Sequence, residues 1–312
     1  MKAYAYWTFP LLATLALSAS VRAADRDDSV RFIVPPWPGV TVKTEIVAQL
    51  LTPLGYRVDR QELSSTVGYK TLQTGDSDVF LAGWLPAQQQ SFDAAMAAGA
   101  IVDLGNNVNG ARMGFAVPGY VYAAGVTSAE DLDEPANRER FGARYYSIET
   151  GSTVSDFIHQ AKDDDTYGLG DWQLMESSTP GMLSEVRAAY EDHRWIAFYG
   201  WTPHWMVPEF DMHILDDPAG VYGDDQGRSD VRTIVAKPFS EANPNLVRLL
   251  DQIVFSADEQ SEFIRQFGLE QRDLEAVAHE WLKAHPQQLA TFLEGVTTRD
   301  GEPALPAVEA SL

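Results

Sequence analysis

The chain has 312 residues, 45% hydrophobic and 22% charged, with 23 Lys+Arg against 45 Asp+Glu and a net charge of −22. That length builds two ordinary domains or one large one, and the composition excludes collagen-like, disordered and multi-span membrane classes. The acidity repels phosphate, so no nucleic-acid partner is expected. The lack of cysteine excludes disulfides, thiolate metal sites, a cysteine nucleophile and a lipid-modified N-terminal Cys.

The chain opens with Lys2, a short apolar run at residues 11–17, and the small-x-small ending Val21, Arg22, Ala23. This pattern predicts a cleavable export signal over residues 1–23, cut near Ala23, and a periplasmic protein. The run is too short to span a membrane. Removing two positive charges (Lys2 and Arg22) from −22 leaves the mature chain at −24.

Strands then alternate with helices. Residues 30–35 (VRFIVP), 56–63, 78–82 and 101–104 read as strands, and 41–54, 69–74 and 91–98 as helices. Gly55 and Gly75 are placed to end the first two helices. The pattern restarts near 110–118. Strands are expected at 114–117, 145–148, 172–176 and 195–199, and helices at 128–132, 154–162 and 181–190, with a return at 212–215. Beyond it come helices at 245–254, 257–266, 269–285 and 287–296, and a loose tail at 300–312. Alternation of this kind predicts an α/β fold with much parallel pairing, folded as two lobes of the periplasmic-binding-protein kind (type II). Lobe 1 would be residues 24–111 plus 213–312 and lobe 2 residues 112–212. A ligand cleft would lie between them, at the carboxyl ends of strands.

Three tryptophans end predicted strands, each close to proline: Trp37 in VPPWP, Trp84 in AGWLP and Trp201 in GWTP. A neighbouring Pro stiffens the backbone that carries the ring. Two belong to the first lobe and one to the second, so closure would bring three indoles around one small volume. Such a cage suits a quaternary ammonium group, whose spread charge is weakly hydrated and is drawn to π-faces, best of all to Trp. The alternative is that these rings fill the core, as Trp172, Trp195, Trp205 and Trp281 are expected to do. Glu149-Thr150-Gly151-Ser152-Thr153-Val154 joins a strand to a helix. Free N–H groups at that helix start could hold a ligand carboxylate near Gly151, Ser152, Thr153 and Val154. Plain N-capping by Ser152 or Thr153 is the alternative.

The stretches 82–86 (AGWLP), 103–120 (DLGNNVNGARMGFAVPGY), 149–151, 199–206 (YGWTPHWM), 214–223 (ILDDPAGVYG) and 279–286 resemble the glycine betaine/choline family of ABC-transporter substrate-binding proteins. The similarity covers nearly all of the mature chain. It implies a two-lobe trap that hands a small quaternary ammonium compound to a membrane permease, with no chemistry, no cofactor and no metal, acting as a monomer. Trp37, Trp84 and Trp201 match the family's cage aromatics, and Thr153 and Val154 match positions whose amides meet a carboxylate. Gln89 stands where some betaine binders have His. Gly39 and Met113 stand where choline binders have Asp and Tyr. Glycine betaine is therefore the first expectation, with choline, carnitine or dimethylsulfoniopropionate as alternatives. Gln89 and His204 are expected helpers.

A hydrolase or a metal-binding protein is the competing class. No Gly-x-Ser-x-Gly or His-Glu-x-x-His stands in the chain; residues 279–283 read HEWLK. His204 could serve as a base, while the other five histidines are scattered.

Overall fold

The computed structural model describes residues 28–223 and 225–312. The expected signal segment, 1–23, lies outside the described residues. Nine strands form one mixed sheet: β1 (Ser29–Ile33), β2 (Arg57–Gln61), β3 (Val79–Leu85), β4 (Ile101–Val117), β5 (Arg144–Ser147), β6 (Gln173–Glu176), β7 (Ala197–Thr202), β8 (His213–Ile214) and β9 (Arg228–Ala236). Their order is β2-β1-β3-β9-β4-β7-β5-β6, with β8 paired to β4. Pairing is parallel at both outer ends, β1 with β2 and β3, and β5 with β6 and β7. Each of these pairs needs a crossover, which the intervening helices supply. The inner pairs β3–β9, β4–β9 and β4–β7 are antiparallel.

The helix after β1 runs Pro38–Leu51, starting before the apolar spacing that signals it because Pro38 fits its first turn. It buries Val42, Ile46, Val47, Leu50 and Leu51.

Among the described residues the hydrophobic interior divides into two large clusters and a small one of Val108, Ala111 and Val231 against Trp84. The first joins Phe32, Ile33, Ile46, Phe80 and Leu81 to Ile234, Phe255, Leu282 and Phe292. The second joins Phe115, Tyr145, Trp172, Phe198, Leu215 and Tyr222. β4 serves both: Ile101 packs in the first and Met113 to Val117 in the second.

Three expectations change. The short strands expected at 101–104 and 114–117 are one 17-residue strand. Its glycine-rich middle reads as a loop, but it keeps pairing through register shifts between Asp103 and Ala111, with Gly105 and Gly110 at positive φ. β9, absent from the expected elements, lies between β3 and β4. Finally, residues 300–312 are not a loose tail. They carry a helix, Ala304–Glu309, which buries Ala304 and Val308 in the first cluster.

Candidate functional site

β3 and β7 deliver Trp84 and Trp201 near their carboxyl ends, and Trp37 occupies the N-cap position of the helix Pro38–Leu51. All three line one cavity of about 90 Å³. The prolines beyond the two strand-end rings are cis, at Leu85-Pro86 and Thr202-Pro203. Tyr199 is a fourth aromatic wall, stacked on Trp201 with ring centroids 5.2 Å apart. Its two-residue step from Trp201 along β7 places both side chains on one face, a period-2 signal present in the sequence. The Tyr199 hydroxyl bonds Met113 Sδ at 3.4 Å, and burial holds the phenol well above its usual pKa. The Trp37 indole N–H donates to Glu149 Oε1 at 3.2 Å.

Ser152, Thr153 and Val154 also line the cavity. Ser152 caps the helix Thr153–Asp163, its Oγ accepting from the Ser155 N–H at 3.2 Å. Capping and cavity lining thus coexist in one residue. The first N–H groups of a helix have no intrahelical acceptor, and those of Thr153 and Val154 have none elsewhere among the described residues. Gly151 stands just outside the lining, exposed at φ 87°. Its positive φ turns the chain into the helix.

His204 is 2% exposed, lines the cavity and packs edge-on to Trp201. Its Nδ1 accepts from the Met206 N–H at 3.1 Å, which leaves the proton on Nε2. That Nε2 is buried without a partner. Burial pulls the pKa down to about 3, so the ring is a neutral donor. Gln89 is not at the cavity. It faces solvent at the start of the helix Gln89–Ala97 and donates to Asp93 at 2.7 Å. Its neighbour Gln88, 2% exposed, lines the cavity instead.

Lys43 lies six residues, about one and two-thirds turns, beyond Trp37 on the same helix, also against the cavity. Its Nζ donates to Leu81 O at 2.9 Å and Asn107 Oδ1 at 2.6 Å. Burial draws its pKa down to about 7. Among the described residues no Asp or Glu lines the cavity, and no group of three or more His, Asp or Glu could hold a metal ion. Trp172, Trp205 and Trp281 are buried in the cores, and Trp195 lies under the Arg140 guanidinium at 4.5 Å.

Two packed α/β clusters around an aromatic cavity with unpaired N–H donors describe a substrate-binding protein. The chain belongs to the family described as the substrate-binding domain of ABC-type glycine betaine transport systems, whose model matches residues 28–284. It is 38% identical over 175 residues to the glycine betaine/carnitine transport binding protein of Listeria monocytogenes, a match spanning 55% of each chain. The chain thus spans about half the length of that relative. The glycine betaine/proline betaine-binding periplasmic protein of Escherichia coli is 22% identical, with 80% of this chain and 84% of that one covered. Among solved structures, an ABC-transporter choline binding protein in complex with choline superposes with a TM-score of 0.86 at 30% identity, covering 92% of this chain and 99% of that one. The lactococcal protein in its closed conformation with glycine betaine gives 0.74 at 26% identity, covering 85% and 99%.

Proposed function

We propose that this chain captures a small zwitterion with a quaternary ammonium head, glycine betaine first, and delivers it to the membrane permease of an ABC importer. One observation carries the choice of a zwitterion: the cavity has an aromatic cage and, among the described residues, no carboxylate. A cation such as choline would bring an uncompensated charge into that enclosure. Glycine betaine brings its own counter-charge, and the amides of Thr153 and Val154 with the His204 Nε2–H are the donors for its carboxylate. Trp37, Trp84, Trp201 and Tyr199 are the walls for the methylated nitrogen, each contact contributing about 0.5–2 kcal/mol. Choline is the second reading, favoured by the likeness to the choline-bound structure. Carnitine and dimethylsulfoniopropionate fit the same chemistry.

The two clusters act as the two lobes of the trap, with residues 24–111 and the C-terminal part on one side and 112–212 on the other. Leu215 and Tyr222 join the second side, since both pack there. The protein works as an exported monomer, cleaved near Ala23. Calorimetric titration of protein unfolded and refolded to remove carried-over ligand tests the reading with all four compounds. Tight binding of glycine betaine over choline is expected. Binding of choline alone removes the carboxylate role of residues 151–154, and binding of none removes the cage.

A further inference from the structure

Two side-chain amides line the same cavity from different elements. Gln88 precedes the helix Gln89–Ala97, and Gln260 stands on the helix Ala257–Ile264. Both are at least nine-tenths buried, and the Oε1 of each has no donor among the described residues. The Gln88 amide is oriented by its own geometry: Nε2 donates to Ala82 O at 3.2 Å, so Oε1 is the free end. Gln260 is packed over Gly39, where a Cβ would meet its Nε2 at 2.1 Å, so the absence of a side chain at 39 makes room for this amide beside Trp37. A buried acceptor left unpaired loses the hydrogen bonds it made with water and destabilises the site. A trimethylammonium head has no N–H and cannot repair that.

We propose that Gln88 and Gln260 are specificity-determining residues that accept a hydrogen bond from an ammonium head carrying an N–H. The cavity then takes tertiary ammonium zwitterions alongside quaternary ones. The inference rests on the betaine reading above. A tertiary head keeps two methyl groups for the indoles and adds one donor for an amide oxygen. Its positive charge still needs no protein carboxylate, because the ligand carries one.

The test is titration of the refolded full-length protein with glycine betaine and with N,N-dimethylglycine, which is protonated at neutral pH. The wild type should bind the two within a hundredfold of each other. Gln88→Met and Gln260→Met, made singly, keep side-chain bulk and remove the acceptor. At least one should raise the ratio of dimethylglycine to betaine dissociation constants fivefold or more. Rejection of dimethylglycine by more than a hundredfold in the wild type overturns the proposal. So does a ratio that moves less than fivefold in both variants. A variant too unstable to bind betaine leaves the decision to the other variant and to the wild-type ratio. Failure of the wild type to bind betaine at all removes the underlying reading instead.

Discussion

The two clusters reach the cavity by different physical means. The first joins aliphatic residues such as Val42, Ile46, Val47, Leu50, Leu81 and Ile234 to an aromatic group, Phe255, Phe263, Trp281 and Phe292, whose rings touch without exchanging hydrogen bonds. The second is held by aromatic rings that carry hydrogen bonds. Phe115 meets Tyr145, Tyr167 and Tyr222 edge-on. The Tyr145 and Tyr222 hydroxyls bond each other at 2.8 Å, and Asp217 accepts from the Tyr167 hydroxyl at 2.7 Å and the Tyr222 N–H at 2.9 Å. Tyr222 then packs on Tyr199, and Tyr199 on Trp201. Aliphatic packing tolerates small shifts with graded loss. Bonded hydroxyls are directional, and Tyr222 touches Tyr199 through its ring, so a disturbance of the bonded pair reaches Trp201 by ring packing. The first side holds Trp84 by packing and Trp37 by its bond to Glu149, whereas the second holds Trp201 through rings stacked behind bonded hydroxyls.

The largest expected effect separates the sides by pH. Each has one buried base beside the cavity. For Lys43 the pKa falls from 10.5 to about 7 on folding, and for His204 from 6.5 to about 3. In both intervals the unfolded chain holds the extra proton, so stability rises with pH, by up to about 1.4 kcal/mol per unit for each group. The Lys43 contribution is fully gained only above the unfolded value and is lost as pH falls toward 7. The His204 contribution is lost as pH falls from 6.5 toward 3. Urea midpoints measured against pH should show both slopes. Lys43→Met should flatten the alkaline slope alone; an unchanged slope would mean that the amine is already charged in the folded state.

Trp201→Ala comes next, since this ring ends the series of packed rings and lines the cavity. We expect glycine betaine binding to weaken by about 2 kcal/mol or more. Trp84→Ala should cost at least about 1 kcal/mol of binding, with the fold retained. Calorimetry reads both, and unchanged affinity would place the rings in packing only. Tyr145→Phe removes one of two mutually bonded buried hydroxyls. It should cost about 1–2 kcal/mol of stability and, through Tyr222 and Tyr199, should also weaken binding. A stability loss with affinity intact would break the contrast between the sides. Glu149→Gln is the smallest. It keeps an acceptor for the Trp37 indole but removes the charge, and should weaken binding by under about 1 kcal/mol.

Much of this was legible before the structure. The strand–helix alternation and the 152–154 helix start fall where local patterning expects them, and Trp84 and Trp201 lie near strand ends; Trp37 does not, since β1 stops at Ile33 and this residue caps the next helix. β9 was hidden because its first six residues, RSDVRT, hold Val231 as their one apolar side chain and have the look of a loop. In the sheet, Arg232 pairs with Asp103 at 2.7 Å and Asp230 at 3.0 Å, so the polar face is satisfied by a neighbouring strand that sequence does not reveal. Reading residues 101–117 as two strands failed for a related reason: glycine and asparagine signal turns equally well when they form bulges. At this helix start a single step separates Gln88, which lines the cavity, from Gln89, which faces solvent, a difference that residue type alone does not signal. Tyr199 was in view, but its partnership with Trp201 was not used.

The shared strand β4 has a consequence for how the molecule comes apart. Its first half is bonded to β9 and its second half to β7 and β8. Neither half can melt without stripping hydrogen-bonded neighbours from a strand the other half still uses. Denaturation should therefore run as one cooperative transition, with fluorescence of the tryptophans on both sides changing together.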